Sequence, residues 1–552
     1  MADTASPTAN TAQPSGGGRL DAADYAIISQ ALIAAAREMG AKLIRSAYST
    51  IVREAGDASA ALLDRDGNVV AQAELIPMQL GPMAGTFRAC ADLFPVETLE
   101  RGDFYINNDP FEGGQHLQDV FIYSPIFVGG EIVGFAGTVA HHLDLGGGNP
   151  GLNATAADVH AEGFIFPPSK YNFERDWNGG PLERLVAANA IGAHRVEQLC
   201  RKYGAGVIKA TMQELLNYSE RRFRAALAEI PDGVYFGEDA VDDDGISDEP
   251  LTVKAKLTIA GETVAIDFGG TCKQVSRNLN CPFSSTVSAA LSSVKSVLTS
   301  PDIPFNEGVK RPITITAPEG SLLNPTYPAP VRARMEAAYR AFNAVMKALS
   351  QVVPEKVIAG GHDTTTVAAI SHLGEAGYRV YLEVFGGGYG ASAHHDGCDA
   401  VDSPLSNCSN APIEASDMDF DHFRITEYGL VGDSCGHGKF RGGLGIFRRY
   451  EILKDDVNFA IYADRFRIPP YGLFGGSDGS RGRCEVVRDG ETIEVRSKDG
   501  LMLSKGDVLK IYTSGGAGYG QAAERDANLV RRDVAQGYLS DETARAAYPH
   551  AF

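Results

Sequence analysis

The stretch Ser59-Ala60-Ala61-Leu62-Leu63-Asp64-Arg65-Asp66-Gly67-Asn68-Val69-Val70 decides the fold class. Two apolar runs flank Asp66-Gly67, a dipeptide suited to the positive φ of a tight hairpin turn, so a β-hairpin is expected. Just upstream, Ile28, Leu32, Ala35, Met39 and Leu43 recur at helical spacing, and Asp21 is placed to cap the start of that helix. Helix followed by hairpin, with no long crossover between strands, points to α+β. Working outward, the runs 121–127 and 132–140 read as further strands. Residues 181–230 read as helix, closed by Pro231-Asp232-Gly233. Strict alternation at Leu251, Val253, Ala255, Leu257 and Ile259 turns at Gly261 and returns through Val264, Ile266 and Phe268, a second hairpin. Helices are expected again at 283–299 and 332–352. Residues 376–516, rich in Gly, Tyr, Val and turn dipeptides, read as largely β, and the charged segment after them as helical.

The expected architecture is therefore α+β, mixed α/β and multi-lobed. It comprises a flexible tail (1–18), an N-terminal helix-and-hairpin lobe (19–240), a hairpin and helical middle lobe (241–375), a Gly-rich mainly β lobe (376–522) and a C-terminal helical tail (523–552). A chain of 552 residues is too long for one ordinary domain, which supports the division. With 44% hydrophobic and 22% charged residues the composition is that of a globular protein. Residues 1–18 lack the basic and apolar regions of a signal peptide, and no stretch reaches the ~20 apolar residues of a membrane span. Fifty basic against seventy acidic residues give a net charge of −20, which repels phosphate backbones and anionic lipid, so no nucleic acid and no membrane partner is expected. Eight cysteines without a C-x-x-C pair indicate neither a zinc ribbon nor a disulfide scaffold, and a reducing, cytoplasmic location is expected.

Two segments carry groups capable of chemistry. In Asn108-Asp109-Pro110-Phe111-Glu112-Gly113-Gly114-Gln115-His116-Leu117-Gln118-Asp119, a Gly-rich turn delivers His116 and Asp119 three residues apart. In His141-His142-Leu143-Asp144, histidines emerge at the end of a strand. Glu54 and Asp57 lie just before the first hairpin. Together they form a mixed N/O donor set that suits Zn, Mn or Fe(II) and differs from a thiolate-bound structural zinc. One H-x-x-D taken alone is more simply a hydrogen-bonded, half-buried histidine, so the pattern leaves metal and structural readings both open. Adjacent residues of an extended strand point to opposite sides, so only one of His141 and His142 is expected to face a metal. Gly386-Gly387-Gly388-Tyr389-Gly390 has neither the G-x-x-x-x-G-K-[ST] pattern nor a following helix, and reads as a structural turn. No G-x-S-x-G elbow is present.

The order Asp57, Asn108-Asp109-Pro110, Gly113-Gly114, His116-x-x-Asp119 and His141-His142 resembles the hydantoinase B / 5-oxoprolinase family. The likeness continues through Ile266-Asp267-Phe268-Gly269-Gly270-Thr271, Asn306-Glu307-Gly308, Gly386-Gly387-Gly388-Tyr389-Gly390, Pro412-Ile413-Glu414, Phe440-Arg441-Gly442-Gly443 and Gly515-Gly516-Ala517-Gly518-Tyr519-Gly520, over about residues 20 to 549. The resemblance implies a subunit of an ATP-dependent cyclic amidohydrolase that opens a hydantoin- or lactam-type ring in a hetero-oligomer. ATP and Mg would be used by a hydantoinase A type partner subunit, in keeping with the missing phosphate loop. It further implies one divalent metal, Zn or Mn, held by Asp57, His116, Asp119 and His141, with His142, Asp144 or Glu54 as base or orienting residue. Related ketone carboxylases share the metal motif, so a carboxylase subunit is the alternative, and a non-catalytic scaffold subunit a further one. Where many members read E-R-x-D-F-S, this chain has Glu54-Ala55-Gly56-Asp57-Ala58-Ser59, whose smaller residues leave more space beside the first ligand.

Overall fold

The computed structural model describes residues 21–552 other than Glu74, Asn149, Pro150, 177–181 and Ala376, so the expected 1–18 tail lies outside the described residues. The helix Ala22–Ser46 buries Ile28, Leu32, Ala35, Met39 and Leu43 as its spacing predicts. Asp21 occupies the N-cap position without a side-chain hydrogen bond. The hairpin forms from β1 (Ala58–Asp64) and β2 (Val69–Gln72). Its turn is held by Asp64 Oδ1, which accepts from Asp66 N (3.0 Å) and Asn68 N (2.9 Å), while Gly67 supplies a φ of +79°.

These strands belong to a six-stranded antiparallel sheet with β3 (Asp103–Asn107), β4 (Asp119–Val128), β5 (Glu131–His141) and β6 (Ser169–Asn172), in the order β2-β1-β5-β4-β3-β6. Both faces are covered. The helices Ala22–Ser46, Glu183–Tyr203 and Ala205–Ala228 bury one face through Leu32, Leu62, Ala136, Val196 and Met212; Phe87, from the helix Met83–Leu93, packs with Leu63, Tyr123 and Phe135 on the other. That double cover explains why β1 and β5 read as nearly unbroken apolar runs.

The expected second hairpin is β8 (Leu251–Ala260) with β9 (Thr263–Asp267), and β8 alternates buried and exposed as read. The sheet is larger than a hairpin. β7 (Gly233–Val241) pairs with β8 along its whole length, and β10 (Ile313–Thr316) adds in parallel to β9. β7 escapes a pattern reading because Val234 and Phe236 point outward, so its apolar residues do not mark its buried side. The helix Met335–Leu349 crosses this sheet with every residue but Lys347 buried.

Beyond it lie β11 (Val367–Gly374), β12 (Gly377–Val384), β13 (Phe423–Leu430), β14 (Ile446–Ile452), β15 (Val457–Tyr462), β16 (Arg483–Arg488), β17 (Glu491–Val495), β18 (Lys498–Leu503) and β19 (Val508–Tyr512). They form two sheets, β12-β11-β15-β18 and β13-β14-β19-β16-β17, which share the core around Ile370, Tyr381, Phe423, Tyr450, Phe459 and Leu509. Gly386-Gly387-Gly388, expected as a turn, instead runs on from β12 as extended backbone, with Gly387 bridging to Val401. A Cβ on Gly388 would stand 2.1 Å from Gly443 O and 2.2 Å from Gly516 N, so three glycine clusters far apart in sequence meet backbone to backbone.

The final helices, Ala527–Ala535 and Asp541–Ala547, pack Val530, Leu539, Ala544 and Tyr548 against Cys435 and Leu444. Arg525 clasps this segment through Asp396 and Asp533. One apolar cluster runs from Leu43 and Ile51 through Phe104, Leu257, Tyr339 and Leu382 to Tyr462, joining the sheets. All eight cysteines are free. No helix among the described residues is long and apolar enough to cross a membrane.

Candidate functional site

The strand order brings the sequence-predicted groups to one sheet end. β1, β5 and β4 are neighbours; Ala58 pairs with Ala140, and Asp119 with His141. Asp57, just before β1, therefore stands across from His141, whose N–H donates to Asp57 O at 3.1 Å. The bend before Asp57 uses Gly56 at φ +79°. His116 joins from the turn preceding β4, where Asp119 N donates to His116 O at 3.2 Å. Asn108 fixes that turn: its Nδ2 donates to Leu117 O (2.7 Å) and Phe164 O (3.1 Å), and its Oδ1 accepts from Phe166 N (2.6 Å). Gly113, at φ +90°, passes so close to the backbone at Gly85 that a Cβ would meet it at 2.7 Å.

Asp57, His116 and His141 line a cavity of about 80 Å³ together with Gln79, Arg332, Arg334 and Glu336; Ile51, Met78, Leu152 and Val384 supply apolar walls. At ~10–15 Å³ per water by this measure, it holds several waters. Asp119 lies directly behind, fully buried. Its Oδ2 is 3.3 Å from His116 Nε2 and accepts from Arg334 at 2.8 Å. Gln79 Nε2 bridges the two carboxylates, at 2.6 Å from Asp57 Oδ1 and 3.2 Å from Asp119 Oδ1. The His116 and His141 rings are tilted, their centroids 5.1 Å apart. Among the described residues no three His, Cys, Asp or Glu side chains are already disposed around one point as metal ligands, since Asp119 is drawn toward Arg334 and His116.

The electrostatics separate the roles. Burial, then the nearby Arg334 charge, lowers the His116 imidazole to about 4, and burial followed by His116 holds His141 well below its ordinary value. Both rings are neutral near pH 7. Burial and then the Asp119 charge push the Asp57 carboxyl well up; burial would raise Asp119 too, but His116 and Arg334 override it and hold it ionised. Both nitrogens of His116, Nδ1 of His141 and Nε of Arg334 are buried without a hydrogen-bond partner. Unpartnered buried atoms occur elsewhere in the interior as well, but here they gather around a cavity. Neutral imidazoles beside carboxylates are the donor set a divalent cation takes.

Of the remaining sequence-predicted residues, His142 does not line the cavity. Its N–H donates to Gln118 O at 2.7 Å, its Nε2 is buried and unpartnered, and burial lowers its pKa. Asp144 accepts from Gly146 N (2.8 Å) and Gly151 N (3.2 Å), bracing its loop. Glu54 is 2.6 Å from Arg53 Nε and also lies off the cavity. Four cavity residues were missed by sequence reasoning: Gln79, Arg332, Arg334 and Glu336. The last three come from the entry to the helix Met335–Leu349. The available signal was Arg332-x-Arg334-x-Glu336, alternate charges leading into the largely apolar segment 335–349. Glu336 is 1% exposed, its Oε1 accepts from Thr365 N at 3.2 Å, its Oε2 has no partner, and burial raises its pKa. Glu162 holds the same entry in place by accepting from Val331 N and Arg332 N, each at 2.9 Å.

The Hydantoinase B/oxoprolinase family model matches residues 21–522. A Pseudomonas sp. (strain NS671) protein, provisionally named as a B-type subunit of a D-/L-hydantoinase, is 33% identical over 566 residues, covering 96% of this chain and 95% of that one. The crystal structure of ATP-dependent caprolactamase from Pseudomonas jessenii superposes with a TM-score of 0.88 at 26% identity, covering 96% of each chain. A nucleotide-free acetone carboxylase structure matches at a TM-score of 0.84 and 19% identity, over 95% of this chain and 79% of that one, a likeness of fold alone.

Proposed function

Because the chain belongs to the Hydantoinase B/oxoprolinase family, we propose that it is the ring-opening subunit of an ATP-dependent cyclic amidohydrolase, completed by a hydantoinase A type, ATP-using partner subunit. The observation that carries this reading is the cavity itself, in which two unpartnered neutral imidazoles face carboxylates among apolar walls. The names of the two relatives support the substrate class, since a hydantoin and a caprolactam are both cyclic amides, and the word subunit supports a partner.

The orphaned nitrogens of His116 and His141, with Asp57 and Asp119, fit one divalent metal, Zn or Mn, through an N/O donor set. When bound, it supplies Lewis acidity toward an amide carbonyl and lowers the pKa of a coordinated water. The chain's own residues do the rest. Arg334 and Gln79 orient the Asp119 and Asp57 carboxylates. The apolar walls limit water, strengthening every electrostatic contact inside. Cleaving a ring amide requires a proton on the departing nitrogen, and Glu336, whose Oε2 is unpartnered at the cavity wall and whose pKa burial raises, is the residue placed to deliver it as general acid. His142, one residue beyond the cavity, serves to position His141 and Asp119. Asp144 and Glu54 are tied to the loop and to Arg53.

The test is to purify the chain without chelator, combine it with the ATP-using subunit, and assay ATP-dependent opening of hydantoin, 5-oxoproline and caprolactam beside carboxylation of acetone. About one divalent ion per chain and opening of at least one ring are expected. The chain alone should hydrolyse no ATP. Carboxylation without ring opening would replace this reading by the ketone carboxylase one. A chain free of metal and inactive in the complex would leave it a scaffold.

A further inference from the structure

We infer that Arg332 is an anion-binding residue of this cavity, and that the ligand accepted there carries a negatively charged group, a carboxylate or a phosphoryl group, beside its amide. The inference rests on the reading of the cavity as the ring-opening site.

Seven arginines are buried among the described residues. Six have a carboxylate within 4 Å: Arg334 has Asp119, Arg340 has Asp239, Arg441 has Asp399, Arg448 has Glu383, Arg465 has Asp239, and Arg525 has Asp396 and Asp533. Arg332 is the exception. It is 6% exposed, and its side chain makes one hydrogen bond, from NH2 to the carbonyl of Gly151. Each neighbouring group that could balance it is otherwise engaged. Glu162 spends its oxygens on the backbone N–H groups of Val331 and Arg332, and burial raises its carboxyl to about 8, leaving it mostly protonated at neutral pH. Tyr462 is committed to Asn153 O and Asn278 Nδ2. Asp144 is exposed and braces the Gly146 to Gly151 loop.

A guanidinium cannot shed its proton near neutral pH, and burying one without a counterion is strongly unfavourable. Arg332 nevertheless lines the cavity that holds Asp57, His116 and His141. Across this wall the Asp119 carboxylate is taken by Arg334 at 2.8 Å, and among the described residues no carboxylate stands within 4 Å of Arg332. An incoming anion completes the balance. A planar fork of N–H donors suits a carboxylate or a phosphoryl oxygen pair and gives little to a neutral lactam. The anion has two sources: a carboxylate borne on the ring, or a phosphoryl group placed on the substrate in the ATP-using step.

The experiment is calorimetric titration of the full chain with 5-oxoproline, with 2-pyrrolidinone (the same ring without its carboxylate) and with inorganic phosphate, on the natural protein, R332Q and R332K. A charge-assisted pair in a water-poor site makes 5-oxoproline bind at least about tenfold tighter than 2-pyrrolidinone. R332Q should collapse that ratio toward one, and R332K, which keeps the charge and guards against a folding defect, should restore part of it. Phosphate binding that depends on Arg332, without a preference between the rings, assigns the anion to the phosphoryl source. Equal binding of both rings together with no Arg332-dependent phosphate binding overturns the inference and leaves the cyclic-amide reading standing. If neither ring binds, the cyclic-amide reading falls; Arg332-dependent phosphate binding would then still support an anion site, and its absence would overturn both.

Discussion

The clasp around Arg525 and the wall around His116 are both buried and both built from ionisable side chains, yet their chemistry is finished to different degrees. Arg525 meets Asp396 through two hydrogen bonds of 2.6 and 2.9 Å and Asp533 through a third of 2.6 Å. At the cavity, Asp119 meets Arg334 once, at 2.8 Å, while both nitrogens of His116 and Nδ1 of His141 make no hydrogen bond, although His116 Nε2 stands 3.3 Å from Asp119 Oδ2. Burial of charge alone therefore does not identify function. What distinguishes the cavity is open space beside its unpartnered nitrogens; the clasp also leaves Arg525 Nε and Asp533 Oδ1 without a hydrogen-bond partner, but its opposite charges are joined directly to one another.

The sharpest way to break this contrast is His116→Ala. Its ring makes no hydrogen bond and only a 3.3 Å contact to Asp119 Oδ2, so metal content should fall from about one per chain to near zero and turnover of the complex by on the order of 10³-fold, with a small change in unfolding temperature. Full metal retention would place His116 with the clasp. Asp119→Ala sharpens the same point, because it also strands Arg334 and should cost stability as well as metal.

At the clasp the effect should be purely structural. Arg525→Met takes the direct partner from Asp396 and leaves Asp533 only the more distant Arg441 (3.6 Å) and Arg532 (3.8 Å), and should cost about 3–5 kcal/mol in urea unfolding, with metal content unchanged. Loss of metal in this variant would mean that the two regions are coupled.

A smaller effect separates two neighbours. His141→Ala should remove metal and activity together, whereas His142→Ala should keep most of the metal and lower turnover about 10- to 100-fold, as expected of a residue acting through a ligand. The reverse result would shift the ligand register by one residue.

The smallest effect is in pH dependence, and the two regions differ in sign. Burial raises the Asp396 carboxyl, but the Arg525 hydrogen bond overrides it and leaves it below its ordinary value. Its contribution is thus present above the unfolded value and lost as acid reaches the folded one. Glu162 is raised by burial from 4.5 to about 8, so the stability it lends is whole below 4.5 and drains away as pH climbs toward 8. Glu162→Gln cannot ionise and should flatten the alkaline limb of stability against pH, by no more than about 1.4 kcal/mol per pH unit. An unchanged alkaline limb would show that Glu162 already ionises freely.

Parts of the first two sheets and of the first helix were legible because they obey local rules. The stripe of the helix Ala22–Ser46, the Asp66-Gly67 turn and the β8 alternation each follow one period over one segment. Asp57, His116, Asp119 and His141 were readable as a set through short motifs and a family resemblance, and strand pairing explains why they meet. Gln79, Arg332, Arg334 and Glu336 were not. Arg334 reaches Asp119 across 215 positions, a contact that no local spacing encodes. β7 was missed for a related reason, since its outward apolar residues give no periodic sign of which side is covered.

The apolar cluster that links Leu43 to Tyr462 carries a consequence for biosynthesis. Asp57 and Tyr462 line the same cavity although 405 positions separate them. At roughly 5–20 residues per second, the ribosome delivers the last wall some 20–80 s after the first ligand. Throughout that interval the nascent chain carries its histidines and carboxylates without an enclosure around them. Such a chain must complete its site after translation is nearly over, which makes the order of synthesis a constraint on when, and with which ion, the protein can be loaded.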